Sequence, residues 1–456
     1  MEMVIDNQLA AKLIFEHKLA SREDIVACWH LITPEKDVGA VLVEKGLLTH
    51  QTYRELLAFL VTLKSPQPVK VVEERGSENI SLEANKSHTQ SQVKVPESVG
   101  NQTTWEELLA YARHHDASDI HLSSGNPILL RKYGSLIPVS NAQVEQANVR
   151  KWVESALNTE QLSVFNAKGD FEFIFTLPRF GRYRVTLMKQ RLGWDITARV
   201  IPSRIRSMDE AELPDSCRDL TRWAQGLVLV TGPVGCGKSS TLSTFVEMVN
   251  QDRRDHIISI EEPIEIVFEP AQCRITQREI GPHTLTRDAA LRAALREDPD
   301  IIVISELRDL DTIRIAISAA ETGHLVFGTM NTTNAARTIF RLIDSFPPEE
   351  QGIIRNMISE SLRGIVSQQL VPRRDGLGMV PAYEVLLITP AVGNMIRKDE
   401  AHQLGTAMIT GKSQGMVLLD DSLRSLVEKG LIDPAEAMSR ANSPKDFEKY
   451  FGRGAK

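Results

Sequence analysis

The sequence predicts an α/β protein whose centre is a parallel β-sheet flanked by helices. Between residues 206 and 372, short apolar runs alternate with segments of helical periodicity, which is typical of a parallel sheet. One run, 227–230, leads directly into a glycine-rich turn and then a helical segment. Three further runs have acidic or polar side chains at their ends, and open sheets of this class bind ligands at strand ends. These observations favour a RecA-like sheet that carries a phosphate-binding loop.

The glycine-rich turn has the spacing of such a loop. In LVLVTGPVGCGKSSTL, residues 227–242, the pattern G-x-x-x-x-G-K-[ST] is met by Gly232, Gly237, Lys238 and Ser239. This kind of loop wraps backbone N–H groups around phosphate oxygens at a helix N-terminus, and its glycines let the backbone approach the anion. We expect Lys238 to contact the β- and γ-phosphates and the Ser239 hydroxyl to ligate Mg²⁺. The predicted nucleotide-binding residues are Gly232, Pro233, Val234, Gly235, Cys236, Gly237, Lys238, Ser239 and Ser240.

Carboxylates follow two of the predicted strands. The run DPDIIVISELRD delivers Glu306 just past its apolar part, and HIISIEEPIEI delivers Glu261 and Glu262. Because the carboxyl ends of parallel strands share one edge of the sheet, these side chains should converge on the phosphates. Glu306 is the expected Walker B acid, which activates water or lies at the metal, and the other two could form the second shell of Mg²⁺. The predicted metal-binding residues are Ser239 and Glu306.

Polar residues flank a third strand. In HLVFGTMNTT, His324 precedes the apolar run and Asn331 follows it. Both could sense the γ-phosphate, although a histidine alone is more often structural than catalytic. Since hydrolysis of a nucleoside triphosphate needs Mg²⁺, phosphate neutralisation and a positioned water, the residues together predict that reaction.

Composition excludes several other classes of protein. The chain has 456 residues, is 42% hydrophobic and 25% charged, and has a net charge of −7, which argues against a nucleic-acid binder. No apolar stretch approaches the roughly 18 residues of a transmembrane segment, and the N-terminus lacks the basic region of a secretory signal. Four scattered cysteines without a C-x-x-C pair suggest reduced thiols in the cytosol.

The rest of the sequence predicts how the chain divides into domains. The first part contains short helices, one of which ends at Gly46, and it is either a generic helical unit or a small docking module. A polar stretch without periodicity follows and predicts a flexible linker. The predicted boundaries are a helical module at 1–64, a linker at 65–103, an α+β domain at 104–205, the RecA-like domain at 206–372 and a helical region at 373–456.

Arginines recur along the strands predicted within 104–205, among them Arg182 and Arg199. Alternating strand arginines usually form a solvated face. Because they precede a phosphate-binding domain here, arginine fingers that act in trans are a second interpretation.

Six segments together resemble one family. They are ASDIHLSS, GPVGCGKSS, IEEPIE, ALREDPDIIVISELRD, AAETGHLVFGT and AVGNMIRKDE. From about residue 104 to 450 the chain resembles the PilT-type twitching-motility ATPases, the retraction motors of type IV pili within the type II/type IV secretion ATPase superfamily.

The resemblance implies a homohexameric ring whose subunits bind ATP with Mg²⁺ between a PAS-like N-terminal domain and the RecA-like domain. It also implies a cytoplasmic protein that docks on an inner-membrane pilus platform protein, at the inner face of the bacterial inner membrane. Carried over by motif, Lys238 and Ser239 are the Walker A pair and Glu306 is the Walker B glutamate. The predicted catalytic residues are Glu306, Glu261 and Glu262 of the acidic box, His324 of the histidine box, and Arg182 and Arg199.

The chain also departs from the family pattern. Asn331 replaces a second histidine, Cys236 replaces the usual loop serine, and Gly393 stands where the Ala-Ile-Arg start of a retraction-linked motif has arginine. A neutral Asn331 predicts an active but slow ATPase. Pilus-assembly or secretion ATPases and a weakly hydrolysing regulatory subunit are the alternatives, although the former commonly carry a C-x-x-C zinc insertion that this chain lacks.

Overall fold

The structure, a computed structural model, describes residues 38–49 and 93–450. The chain divides into two compact units, Met1–Ala84 and Asn85–Lys456. In the first unit, helix α1 spans Val38–Glu44 and ends before Gly46, whose φ of +69° closes the helix in the left-handed conformation, as the sequence predicts. The rest of the predicted helical module, and residues 65–92 of the predicted linker, lie outside the described residues.

The second unit begins with a sheet domain. The elements of this domain are α2 (Trp105–His114), β1 (Asp119–Ser123), β2 (Leu129–Lys132), β3 (Ser135–Pro138), α3 (Gln146–Ala156), α4 (Thr159–Lys168), β4 (Asp170–Leu177), β5 (Gly181–Gln190) and β6 (Gly193–Val200). The six strands form an antiparallel sheet of order β3-β2-β1-β6-β5-β4. Helices cover one face, and their buried side chains include Trp105 and Trp152. Helix α2 begins at a capping box between Thr104 and Glu107.

The end of the predicted linker packs on this sheet domain. Val99 is buried in its core, and the Asn101 side chain donates to the carbonyl of Gln143. Residues 93–103 are therefore not a free linker, because apolar residues within this polar stretch pack against the core of the sheet domain.

A second sheet domain follows. The elements of this domain are α5 (Ser216–Leu220), β7 (Gly226–Thr231), α6 (Lys238–Asp252), β8 (His256–Glu261), β9 (Arg274–Glu279), α7 (Arg287–Ala294), β10 (Ile301–Ile304), α8 (Leu310–Glu321), β11 (Leu325–Met330), α9 (Ala335–Asp344), α10 (Pro348–Ser361), β12 (Leu362–Pro372) and β13 (Met379–Leu387). The seven strands form a sheet of order β13-β12-β7-β11-β10-β8-β9. Neighbouring strands are parallel except β13, which is antiparallel to β12.

Both faces of this sheet are covered, which explains the continuous apolar runs. In β7, Leu227 and Leu229 pack in one core cluster, whereas Val228 and Val230 pack in another with Phe245 of α6. Successive strand residues point to opposite faces, so a strand buried on both sides is apolar throughout. Strand β7 is thus held in the middle of the sheet, and the loop that follows it lies at the carboxyl ends of the parallel strands.

The C-terminal part differs from the helical region that the sequence predicts. Met379–Leu387 forms β13, because the glycines at 376 and 378, both with positive φ, turn the chain back along β12. A short apolar run does not by itself distinguish a strand from a helix. The helices that follow are α11 (Pro390–Arg397), α12 (Leu404–Thr410), α13 (Leu419–Glu428) and α14 (Pro434–Arg440). None of the helices within residues 38–49 and 93–450 is long and apolar enough to cross a membrane.

Candidate nucleotide-binding site

The glycine-rich loop connects the end of β7 to the start of α6. Gly232, Gly235 and Gly237 have φ values of +146°, +80° and +91°, which L side chains rarely adopt. Cys236 is buried, and burial raises the pKa of its thiol. Since Gly237 has no side chain to cap α6, the first N–H groups of that helix are available to an anion.

Lys238 folds back over the loop. Its ammonium donates to the carbonyls of Gly232, at 2.9 Å, and Pro233, at 3.0 Å. Burial lowers the pKa of Lys238, and the nearby Glu306 carboxylate acts in the opposite direction. The lysine therefore lies in the mouth of the loop, where a phosphate would meet it.

Glu306 follows β10 at the same edge of the sheet. Strand β10 pairs with β11, and β11 pairs with β7, all in parallel, so their carboxyl ends lie together. The Asn331 side-chain amide donates to Glu306 Oε1, and Arg308 forms an ion pair with Oε2 at 2.6 Å. The sequence prediction did not include Arg308. Its position two residues after Glu306 could have indicated that the two side chains form an ion pair. Both carboxylate oxygens of Glu306 thus have partners.

Glu261 ends the neighbouring strand β8 and Glu262 follows it, and the two carboxylates have different surroundings. Ser259 and Gln277 both donate to Glu261 Oε1, at 2.6 and 2.9 Å, and burial raises the pKa of Glu261. Glu262 is exposed and accepts a hydrogen bond of 2.6 Å from Arg287. The buried environment of Glu261 therefore shifts this acid toward its neutral form.

Arg182 reaches from β5 of the antiparallel sheet to the segment after Glu262. It donates to the carbonyl of Ile264 at 2.8 Å. Burial lowers its pKa, and the carboxylates of Glu279, Glu261 and Glu265 act in the opposite direction. Its buried Nη1 has no hydrogen-bond partner among the described residues.

The second predicted arginine lies elsewhere. Arg199 forms an ion pair of 2.9 Å with Asp119 on the adjacent strand, and its side chain is 50% exposed. Arg184, which the sequence prediction did not assign, donates to Glu265 at 3.1 Å beside Arg182. The structure therefore places Arg182 and Arg184, but not Arg199, against the acidic segment after β8.

His324 lies at the opposite edge of the parallel sheet. It immediately precedes β11, its ring contacts the carbonyl of Ala319, and its own carbonyl accepts from Gly226 at the start of β7. The six residues of β11 span about 20 Å. Because residues at opposite ends of one strand cannot meet, His324 does not join Asn331 and Glu306 within this chain.

The donor set fits Mg²⁺ only together with phosphate oxygens. Among the described residues there is no group of three or more His, Cys, Asp or Glu side chains that could hold a metal. Ser239 offers an exposed hydroxyl at the start of α6, and Glu306 offers a carboxylate at the same edge. This suits an ion that is bound through one or two protein ligands and otherwise by phosphates and water.

Comparison with known proteins gives a consistent result. The family model described as Type II/IV secretion system protein matches residues 102–416. The type IV pilus retraction ATPase PilT of Pseudomonas aeruginosa is 43% identical over 341 residues, which cover 75% of this chain and 99% of that protein. A twitching motility protein of Neisseria gonorrhoeae is 40% identical over 319 residues, covering 70% and 85%. A crystal structure of the pilus retraction motor PilT with bound ADP matches with a TM-score of 0.68 at 36% identity, covering 76% of this chain and all of that one.

Proposed function

The chain belongs to the type II/IV secretion system protein family, and on that premise we propose that it is a PilT-type motor that hydrolyses ATP to power retraction of type IV pili. The observation that carries the proposal is the meeting, at one edge of the parallel sheet, of the glycine-rich loop and Glu306, whose carboxylate acts on the pKa of Lys238. A retraction motor needs both groups, one to hold the phosphates and one to direct water at them.

The loop and the first turn of α6 bind the β- and γ-phosphates through backbone N–H groups. Lys238 exchanges its two carbonyl acceptors for phosphate oxygens, so nucleotide binding replaces hydrogen bonds that the lysine makes within the loop. Ser239 and Glu306 would hold Mg²⁺, which neutralises charge on the transferring phosphoryl group.

Glu306 orients the attacking water and accepts its proton. Asn331 and Arg308 each contact one oxygen of the carboxylate, and each oxygen keeps a second lone pair that can accept a hydrogen bond from a water. Asn331 stays neutral, so it orients the carboxylate without adding positive charge beside the phosphate. Glu261 and Glu262 are proposed to support the metal from the neighbouring strand.

Arg182 and Arg199 are proposed as arginines that stabilise the transition state, acting across subunits of a homohexameric ring. Arg182 has the stronger case, because its partly unpaired guanidinium lies beside carboxylates at the end of β8. His324 is proposed to act on the nucleotide only indirectly, through the start of β11.

The assembly is proposed by analogy with the family. The antiparallel sheet domain corresponds to a PAS-like domain and the parallel sheet domain to a RecA-like domain, with proposed boundaries at 104–205 and 206–372. A ring of six such subunits would work in the cytoplasm, at the inner face of the inner membrane, against a pilus platform protein. The residues at 1–64 are proposed as a module added to this core.

Two experiments test the proposal. Lys238→Ala should abolish steady-state ATP hydrolysis of the purified full chain, whereas Lys151→Ala, an exposed lysine of α3, should leave it unchanged. If Lys238→Ala hydrolyses ATP at the wild-type rate, the assignment of this loop as the nucleotide-binding site is wrong. Deletion of the gene should give cells with many pili and no twitching motility. Cells without pili would mean that the motor drives assembly instead.

A further inference from the structure

Strand β12 places a buried glutamine under the glycine-rich loop. Ser367 pairs in register with Thr231, the last residue of β7, so Gln368 comes next to the first residue of the loop. Only 3% of Gln368 is exposed. A buried amide has to be hydrogen-bonded, and here one partner lies in the loop and another in the first turn of α6.

The side chain of Gln368 connects the last part of the loop with the first turn of α6. Its Nε2 donates to the carbonyl of Cys236 at 2.6 Å, and its Oε1 accepts from the Thr241 hydroxyl at 2.7 Å. Cys236 lies in the loop, and Thr241 lies in the first turn of α6. One side chain therefore fixes the loop to the helix whose N–H groups face the phosphate.

The backbone of Gln368 approaches the loop just as closely. A Cβ on Gly232 would lie 2.3 Å from the Gln368 carbonyl oxygen, and a Cβ on Gly237 would lie 3.1 Å from its Nε2. Both positions thus require glycine for two reasons, the positive φ and the close approach of Gln368. Gln368 occupies the side of the loop that faces the sheet, which leaves the opposite side free for an anion.

We propose that Gln368 is a positioning residue, which holds the loop in its phosphate-binding shape before nucleotide arrives. This inference rests on the proposed function, because it assumes that the loop binds phosphate. Gln368 acts through Cys236 and Thr241 and does not itself contact the nucleotide. A loop held in this way does not have to be ordered at the cost of binding free energy.

The kinetic consequence is specific. The loop N–H groups hold the phosphates equally in the ground state and in the transition state, so a loosened loop weakens both by the same factor. Loss of Gln368 should therefore weaken ADP and ATP binding about tenfold or more while changing kcat by less than about threefold. A role in stability alone would instead lower the melting temperature and leave the affinity of the folded protein unchanged.

The test measures binding of ADP and ATP with Mg²⁺, kcat and the nucleotide-free melting temperature for full-length variants. Gln368→Met keeps the length and removes both hydrogen bonds, so it should show the affinity loss. Gln369→Met is the matched control, since Gln369 is the same residue type, next in the strand and on its other face, and it should bind like wild type. Thr241→Val should lose part of the affinity, and Thr241→Ser, which keeps the hydroxyl, should restore it.

The outcomes separate the two hypotheses. If wild type binds no ADP, the proposed function fails. If wild type binds ADP and Gln368→Met binds it as well as Gln369→Met does, Gln368 is not a positioning residue. If Gln368→Met does not fold, the comparison of Thr241→Val with Thr241→Ser decides, and equal affinities overturn the inference.

Discussion

Helix α11, which contains most of the segment AVGNMIRKDE, packs on α10 through a position that has no side chain. A Cβ added at Gly393 would lie 2.9 Å from the carbonyl oxygen of Ser359, a backbone atom that cannot rotate away. Gly352, within α10 itself, has nothing within 4 Å of the same added atom. Neither glycine has a positive φ, so the pair isolates packing from backbone strain.

The expected magnitudes follow from these contacts. Replacing a helical glycine by alanine stabilises by about 0.5–1 kcal/mol through the lower entropy of the unfolded chain. Gly352→Ala should gain that amount in the free energy of unfolding. Gly393→Ala gains the same term but forces two helices apart, which costs about 1–3 kcal/mol. The two variants should therefore differ by about 1–3 kcal/mol, with Gly393→Ala the less stable.

Thermal or urea unfolding of both full-length variants, at one protein concentration, measures this difference. Equal concentration matters because any self-association of the folded chain would stabilise it by mass action. Gly393→Arg, which restores the residue of the family motif, should be less stable still. If both alanine variants are stabilised equally, or if Gly393→Arg is neutral, the close approach of α10 and α11 does not limit this position.

Three further variants probe the site. Glu306→Gln should bind ATP normally while kcat falls about 10²–10⁴-fold, because it loses a general base. The melting temperature of this variant should hardly change, since the ion pair with the exposed Arg308 is worth at most about 1 kcal/mol. If the variant no longer binds ATP, the role of Glu306 is structural and not catalytic. Arg182→Ala should lower kcat more than it lowers ATP affinity. Arg191→Ala changes an exposed arginine of the same domain and is the control. If both variants change kcat equally, Arg182 has no specific role in hydrolysis. Burial raises the pKa of Glu261 above its usual value of 4.5, so the stability linked to its protonation is full below that pH and is lost as the pH rises through the folded-state pKa. Glu261→Gln escapes this loss, and its free energy of unfolding relative to wild type should rise from acid to neutral pH; a pH-independent difference would contradict the raised pKa.

The geometry of the candidate site was predictable where its residues are close in sequence or follow a strand. The loop from Gly232 to Ser239 has a fixed spacing, and Glu306 follows an apolar run, so local patterns were enough to find them. Gln368 was not predictable, because β12 lies beside β7 across more than a hundred residues of chain and no local pattern reports that neighbour. The position of His324 could not be read from its motif, because a motif that spans a whole strand groups residues from its two ends, which the fold separates.

The burial of Cys236 has a consequence for oxidising conditions. Peroxides and alkylating reagents attack the thiolate form of an accessible cysteine. Here 3% of the residue is exposed, and its raised pKa keeps the sulfur protonated at neutral pH. A cysteine within a phosphate-binding loop would otherwise make an ATPase sensitive to oxidative stress. We expect this loop to stay chemically intact during such stress, even when no nucleotide shields it.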